Sequence, residues 1–170
     1  CNVGINVNCS KAIFNDTSRH LLYLYNTFKN LDKSELFRFI NEIIKKYNLS
    51  LSSKNGYSYY DCESSKGLGD YNRDGYLKLR EDFNEHTNDD DYYYVMLYVL
   101  IVYSFNNQIR FNKDGKFNLP VGKRDFNDKM KAKLSDFVDR LKSGDYSFTC
   151  KDFNEISLDS INSNDFIYAD

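Results

Sequence analysis

Phe105-Asn106-Asn107-Gln108-Ile109-Arg110-Phe111-Asn112-Lys113-Asp114-Gly115-Lys116-Phe117-Asn118-Leu119-Pro120-Val121-Gly122-Lys123-Arg124 alternates aromatic or aliphatic side chains with amides and cations. It pivots on Asp114-Gly115. Asp-Gly between two alternating runs is a strong β-hairpin signal, because a tight reversal needs residues that accept positive φ. Amides and Arg pair with base edges, Lys meets phosphates, and Phe wedges or stacks against bases. A surface hairpin of this composition reads as a nucleic-acid contact element. The plainer alternative is a solvent hairpin without a ligand.

Charge around the hairpin agrees with that reading. Arg110, Lys113, Lys116, Lys123, Arg124, Lys129, Lys131 and Lys133 face only Asp114, Asp125 and Asp128 in the same stretch, whereas Asp61 to Asp91 is acidic. The net charge of −2 excludes a generic DNA coater, but a local basic face on a near-neutral body suits a site-specific binder. At 170 residues with 41% hydrophobic content, the chain is long and apolar enough for one domain with its own core. Cys1, Cys9, Cys62 and Cys150 show no CxxC spacing and read as free thiols in a reducing cytoplasm. The apolar run Val95 to Val102 falls well short of the roughly 20 residues that span a bilayer. His20 and His86 are the only histidines, which removes zinc hydrolases and most nucleophile–His hydrolases.

Working outward along the chain, Lys11 to Asp16 reads as a short strand closing on an acid. A helix follows with Leu21, Leu22, Tyr25 and Phe28 on its apolar face. Asp32 and Glu35 have the spacing of a capping box for the next helix, whose face is Leu36, Ile40, Ile43, Ile44 and Tyr47. Residues 48–75 read as polar loop, and Tyr76 to Phe83 as helix. Asp89-Asp90-Asp91 favours the positive end of a helix that runs to about Ser104. After the hairpin, Met130, Leu134, Phe137, Val138 and Leu141 mark another amphipathic helix. Tyr146 to Cys150 and Phe166 to Ala169 read as strands. This order predicts an α/β fold in which a mostly helical insertion, residues 31–124, interrupts a core made of residues 1–30 and 125–170.

Several of these segments together resemble the D12-class (Dam-like) adenine-N6 DNA methyltransferases. The hairpin is similar to that family's target-recognition run, Asn-x-x-x-Arg-(Tyr/Phe)-Asn-x-x-Gly-x-Phe-Asn-(Val/Leu)-Pro-x-Gly. Cys1 to Asn8 resembles the tail of its first cofactor motif, whose Gly-rich loop would come before Cys1. Ile13-Phe14-Asn15-Asp16 with Leu21 to Asn26 resembles the second, and Phe166 to Asp170 the strand leading into Asp-Pro-Pro-Tyr. The resemblance implies a Rossmann-like methyltransferase sheet, S-adenosylmethionine as cofactor and double-stranded DNA as partner. It also implies a companion restriction endonuclease, a monomeric protein and a cytoplasmic location. It assigns Asp16 to the cofactor's ribose, Asp152 and Phe153 to its adenine, and Asp170 to both the cofactor side and catalysis. It assigns Phe105, Asn106, Arg110, Pro120, Lys123 and Arg124 to DNA. The family often carries an aromatic near the place of Arg124. In such enzymes a carboxylate and a backbone carbonyl accept the N6 hydrogens of a flipped adenine, drawing its lone pair toward the methyl donor. Both ends of the sequence read as cut, and without Pro-Pro-Tyr after Asp170 the chain alone is expected not to methylate.

Two other readings compete. One is a DNA-binding remnant without catalysis. The other is a calcium-binding interaction domain, because Asp70-Tyr71-Asn72-Arg73-Asp74-Gly75-Tyr76-Leu77-Lys78-Leu79-Arg80-Glu81 matches the pattern D-x-[DN]-x-[DN]-G-x5-E of an EF-hand loop.

Overall fold

The segment Asp91–Tyr103 is apolar on every side, and a helix of that kind must be covered on every side. In the computed structural model, which describes residues 4–159 and 161–169, it is the central helix. Its Val95, Leu97, Leu100 and Tyr103 have no exposed surface. Around it lie α1 (Arg19–Asn30), α2 (Lys33–Lys46) and α4 (Gly69–Glu85), each packed directly on this helix, α5. A short α3 (Ser52–Asn55) links α2 to α4, and α6 (Asp128–Ser143) packs on α1. As the acid cluster predicts, Asp90 caps α5, its carboxylate accepting from the Tyr93 amide at 2.8 Å.

Among the described residues two strands complete the structure. β1 (Ala12–Asn15) and β2 (Tyr146–Thr149) pair in parallel, with Ala12 opposite Tyr146 and Asn15 opposite Thr149. A parallel pair needs a crossover connection. Here the crossover is the whole helical stretch between the strands. The result is a mixed helix and strand structure with a small parallel sheet, compatible with the α/β expectation.

The face predicted for α2 is the face observed: Leu36, Ile40, Ile43, Ile44 and Tyr47 are all buried. In α1 the buried residues are Leu24, Thr27 and Phe28, while Leu21, Leu22 and Tyr25 are half-buried. That helix is wedged between α5 on one side and α6 with β2 on the other, so more than one stripe is covered. The expected capping box of α2 is absent. Asp32 occupies the N-cap without a side-chain bond. Glu35 instead pairs with Arg38 at 3.1 Å, and Arg38 also reaches Glu42 at 2.7 Å. A charge-assisted fork with two carboxylates outcompetes a single bond to a backbone amide.

The calcium-loop reading is overturned. Residues 70–81 lie within one continuous helix, α4, whose 100° steps leave Asp70 and Asp74 on one face but turn Asn72 to the opposite side, so the three cannot converge on one ion. Asp70 pairs with Arg73 at 2.8 Å at the surface, whereas Asn72 is fully buried. Gly75, the turn glycine of the calcium pattern, serves another need: a Cβ there would overlap the Tyr47 carbonyl. The polar stretch 48–75 is therefore not all loop, since α4 starts at Gly69. Phe166 to Ala169 is not a strand either. No backbone group of it pairs with β1 or β2, and Phe166, Ile167 and Tyr168 are exposed.

A polar knot joins the middle of the chain to the base of the hairpin. The Ser50 amide donates to Asn72 Oδ1 at 2.7 Å, and Asn72 Nδ2 donates to Ser50 Oγ at 2.9 Å. Tyr103 donates its hydroxyl to the Ser50 carbonyl at 2.6 Å. Asp125, only 1% exposed, accepts from Ser52 Oγ at 2.9 Å, from the Ser52 amide, and from Ser50 Oγ at 3.4 Å.

Candidate DNA-recognition hairpin and sheet end

The hairpin leaves α5 directly and returns across α4. Asp114-Gly115 lies in the reversal, as its composition predicts. Asn112 closes that turn, its side-chain oxygen accepting from the amides of Asp114 at 3.0 Å and Lys116 at 2.8 Å. Gly115 has φ +74°, the left-handed backbone that favours glycine. The ladder is sparser than regular alternation implies. Antiparallel bridges join Ser104 to Val121 and Phe111 to Phe117, with a 3-10 turn, Phe105–Asn107, between them. Asn106 and Asn107 both adopt left-handed backbone, with φ 55° and 53°, a conformation Asn tolerates better than most residues. Asn107 is anchored by its side-chain amide, which donates to the carbonyl of Val102 at 2.6 Å and caps the end of α5.

Every residue assigned to DNA is at the surface of this element. Phe105 is 51% exposed, and Asn106, Arg110, Pro120, Lys123 and Arg124 are exposed too. Phe105 and Pro120 are neighbours, the Phe105 amide donating to the Pro120 carbonyl at 2.9 Å. Arg110 is held in place: its Nε donates to Asn118 Oδ1 at 2.8 Å and its Nη2 to the Asn118 carbonyl at 3.0 Å. The Lys123 carbonyl accepts from the Leu68 amide at 3.0 Å, so its backbone is pinned while its side chain stays in solvent.

The second group gathers at the C-terminal ends of β1 and β2. The Asp16 amide donates to the Thr149 carbonyl at 3.1 Å, and its Oδ1 accepts from the Ser18 amide at 2.7 Å. Asn15 stitches the strands together, accepting from Thr149 Oγ1 at 2.8 Å and donating to the Lys151 carbonyl at 2.9 Å. The parallel pairing thus brings Asp16 beside the segment that carries Asp152 and Phe153. Asp152 is committed to its own turn, accepting from the Asn154 amide at 3.0 Å within a capping box with Glu155. Phe153 is not core, since 76% of it is exposed. An exposed carboxylate and an exposed ring at the carboxyl ends of parallel strands fit a nucleoside, whose ribose needs an acceptor and whose base needs an apolar face. Cys1 to Val3 and Asp170 lie outside the described residues.

The two groups touch through α1. His20, four residues after Asp16, stacks on Phe111 of the hairpin with centroids 4.1 Å apart and planes 10° apart. Phe83 and Tyr93 pack at tilted angles against the same imidazole. Burial lowers the pKa of His20 from the ordinary imidazole value, which favours the neutral ring. The sequence reading missed the supporting roles of His20, Asn84 and Asp125, whose contacts are far apart in the chain, and of Asn107 and Asn118, whose contacts lie within the hairpin and its junction with α5.

Comparison with known proteins bears on this arrangement. A family model described as D12 class N6 adenine-specific DNA methyltransferase matches residues 1–170. The modification methylase StsI of Streptococcus sanguinis is 34% identical over 171 residues, covering 99% of this chain and 22% of that protein. The type II methyltransferase M.FokI of Planomicrobium okeanokoites is 30% identical, with 99% and 23% coverage. The modification methylase LlaI of Lactococcus lactis subsp. lactis is 28% identical, with 94% and 23% coverage. The chain therefore spans less than a quarter of the length of these relatives.

Proposed function

The chain belongs to the D12 class of N6 adenine-specific DNA methyltransferases, and on that premise we propose that the protein carrying it methylates adenine N6 at specific sites in double-stranded DNA. S-adenosylmethionine would supply the electrophilic methyl group. The relatives are modification methylases, so the proposal places the protein in a restriction–modification system, opposite an endonuclease of the same specificity. Residues 31–124 would form the inserted target-recognition part, and residues 1–30 and 125–170 part of the cofactor-binding core.

The observation that carries this reading is the joining of the two groups. A nucleoside-compatible sheet end and an exposed hairpin of amides and cations meet at the His20–Phe111 stack. Asp16 would accept hydrogen bonds from the ribose hydroxyls of the cofactor, and Phe153 would cover a face of its adenine. Asp152 would shape the turn that presents Phe153. On the DNA side Arg110 and Asn106 would read base edges, Phe105 and Pro120 would press against the stack, and Lys123 and Arg124 would follow the backbone. The target adenine must leave the duplex to be reached. Asp170 would then accept a hydrogen from its N6.

Asp16→Asn tests the cofactor half. The amide keeps an oxygen for the Ser18 N–H and so spares the start of α1, but it removes the charge. In the complete natural polypeptide it is expected to raise the KM for S-adenosylmethionine roughly tenfold, the size of one lost charge-assisted hydrogen bond, with duplex affinity unchanged. Weakened duplex binding with an unaltered KM would reassign Asp16 to the helix start alone. Among the described residues no helix is long and apolar enough to cross a membrane.

A further inference from the structure

One stripe of α4 grips the returning half of the hairpin. Tyr76, Arg80 and Asn84 are spaced four apart and so share a helix face. Tyr76 donates its hydroxyl to the Leu119 carbonyl at 3.0 Å, and Arg80 Nη1 donates to the same oxygen at 2.9 Å. Asn84 makes a two-way pair with Phe117: its Nδ2 donates to the Phe117 carbonyl at 3.0 Å, and its Oδ1 accepts from the Phe117 amide at 2.8 Å. The spacings match. Four residues of helix rise about 6 Å, and two residues of extended chain advance about 6.6 Å. A helix stripe can therefore follow alternate residues of an extended segment.

Alternation has a consequence for the residue in between. Phe117 and Leu119, 1% and 3% exposed, face the helix. Asn118 lies between them and holds the guanidinium of Arg110 with its side-chain oxygen and its carbonyl. A slip of one residue would turn Asn118 inward and Phe117 outward. Of the stripe, Asn84 alone bonds both the N–H and the C=O of one residue, so it alone distinguishes the correct register from a slipped one.

We propose that Asn84 is a specificity-positioning residue: by fixing the register of Phe117 it makes Asn118 hold Arg110 in its reading position before DNA arrives. This rests on reading the hairpin as the DNA-contact element. The test uses the complete natural polypeptide, S-adenosylmethionine and a library of duplexes randomised over the target, with methylated sequences read by sequencing. The wild type defines the preferred site, and Arg110→Ala defines the base at which preference relaxes. Asn84→Ala is expected to relax preference at that same base roughly tenfold, with the KM for S-adenosylmethionine unchanged. Asn118→Ala, a substitution on the solvent side of the strand, is expected to do the same. The double variant is expected to lose no more than either single one, because both act through Arg110. A uniform fall in rate on all duplexes with preference intact would reduce Asn84 to a packing residue and overturn the proposal, as would additive losses in the double variant. A wild type that methylates no duplex would instead be a failure of the functional reading, visible before any variant is made.

Discussion

Asp125→Ala is expected to lower the stability of the fold by about 3 kcal/mol, because it strands buried donors. The carboxylate is nearly inaccessible and accepts from Ser52 through both its amide and its hydroxyl, and from the Ser50 hydroxyl. Among the described residues no cation pairs with it, so these donors are what compensates its burial. Removing it leaves the part-buried Ser52 amide and the buried Ser50 hydroxyl without this acceptor, and methyl-sized Ala leaves a gap beside them. The same residue directly follows Lys123-Arg124, so the loss also frees the base of the hairpin. Urea denaturation of the complete natural polypeptide and the variant, side by side, checks this. A large downward shift of the midpoint is expected, and an unchanged midpoint would show that the knot is dispensable.

Arg110→Ala is expected to cost about 1–3 kcal/mol of discrimination between cognate and altered duplexes, a loss of roughly 5- to 150-fold, while leaving non-specific affinity nearly intact. The reasoning is geometric. Arg110 is exposed, yet its Nε and Nη2 are already ordered on Asn118, so little side-chain entropy remains to be lost when it meets a base. Lys116→Ala is the contrast, because an exposed lysine at the turn has only phosphate to meet. It should weaken all duplexes alike and reduce the salt dependence of binding. Competition titrations of cognate against scrambled duplex at two salt concentrations separate the two. Equal preference before and after Arg110→Ala would remove it from the readout.

Apolar periodicity made much of the helical frame legible in advance. The stripe Leu36, Ile40, Ile43, Ile44 and the all-apolar run Val95 to Val102 fall where burial puts them, and Asp114-Gly115 marks the reversal of the hairpin. What escaped was carried by polar residues. The inner face of α4 includes Asn72 and Tyr76 beside Leu79 and Phe83, so its first half looks like loop to any count of apolar residues. Asn72 is buried because Ser50 completes its hydrogen bonds, a fact decided by a partner 22 residues away. Asp125 follows two cations and looks like surface for the same reason. Asn84 could not be distinguished from an ordinary helix-surface amide until Phe117, 33 positions on, was seen to lie against it. At the sheet end, Asp16 beside the Lys151–Phe153 segment follows from the parallel register of β1 and β2, which two four-residue strands do not announce. The strand expected at Phe166 to Ala169 failed because apolar character does not supply a hydrogen-bonded neighbour.

The central claim is methyl transfer to adenine N6. The most direct measurement incubates the complete natural polypeptide with S-adenosylmethionine and a duplex library, digests the DNA to nucleosides and identifies the methylated one by mass spectrometry. The account predicts N6-methyladenine, formed at a defined subset of sequences. Methylated cytosine, or no methylated nucleoside despite sequence-specific duplex binding, would contradict it.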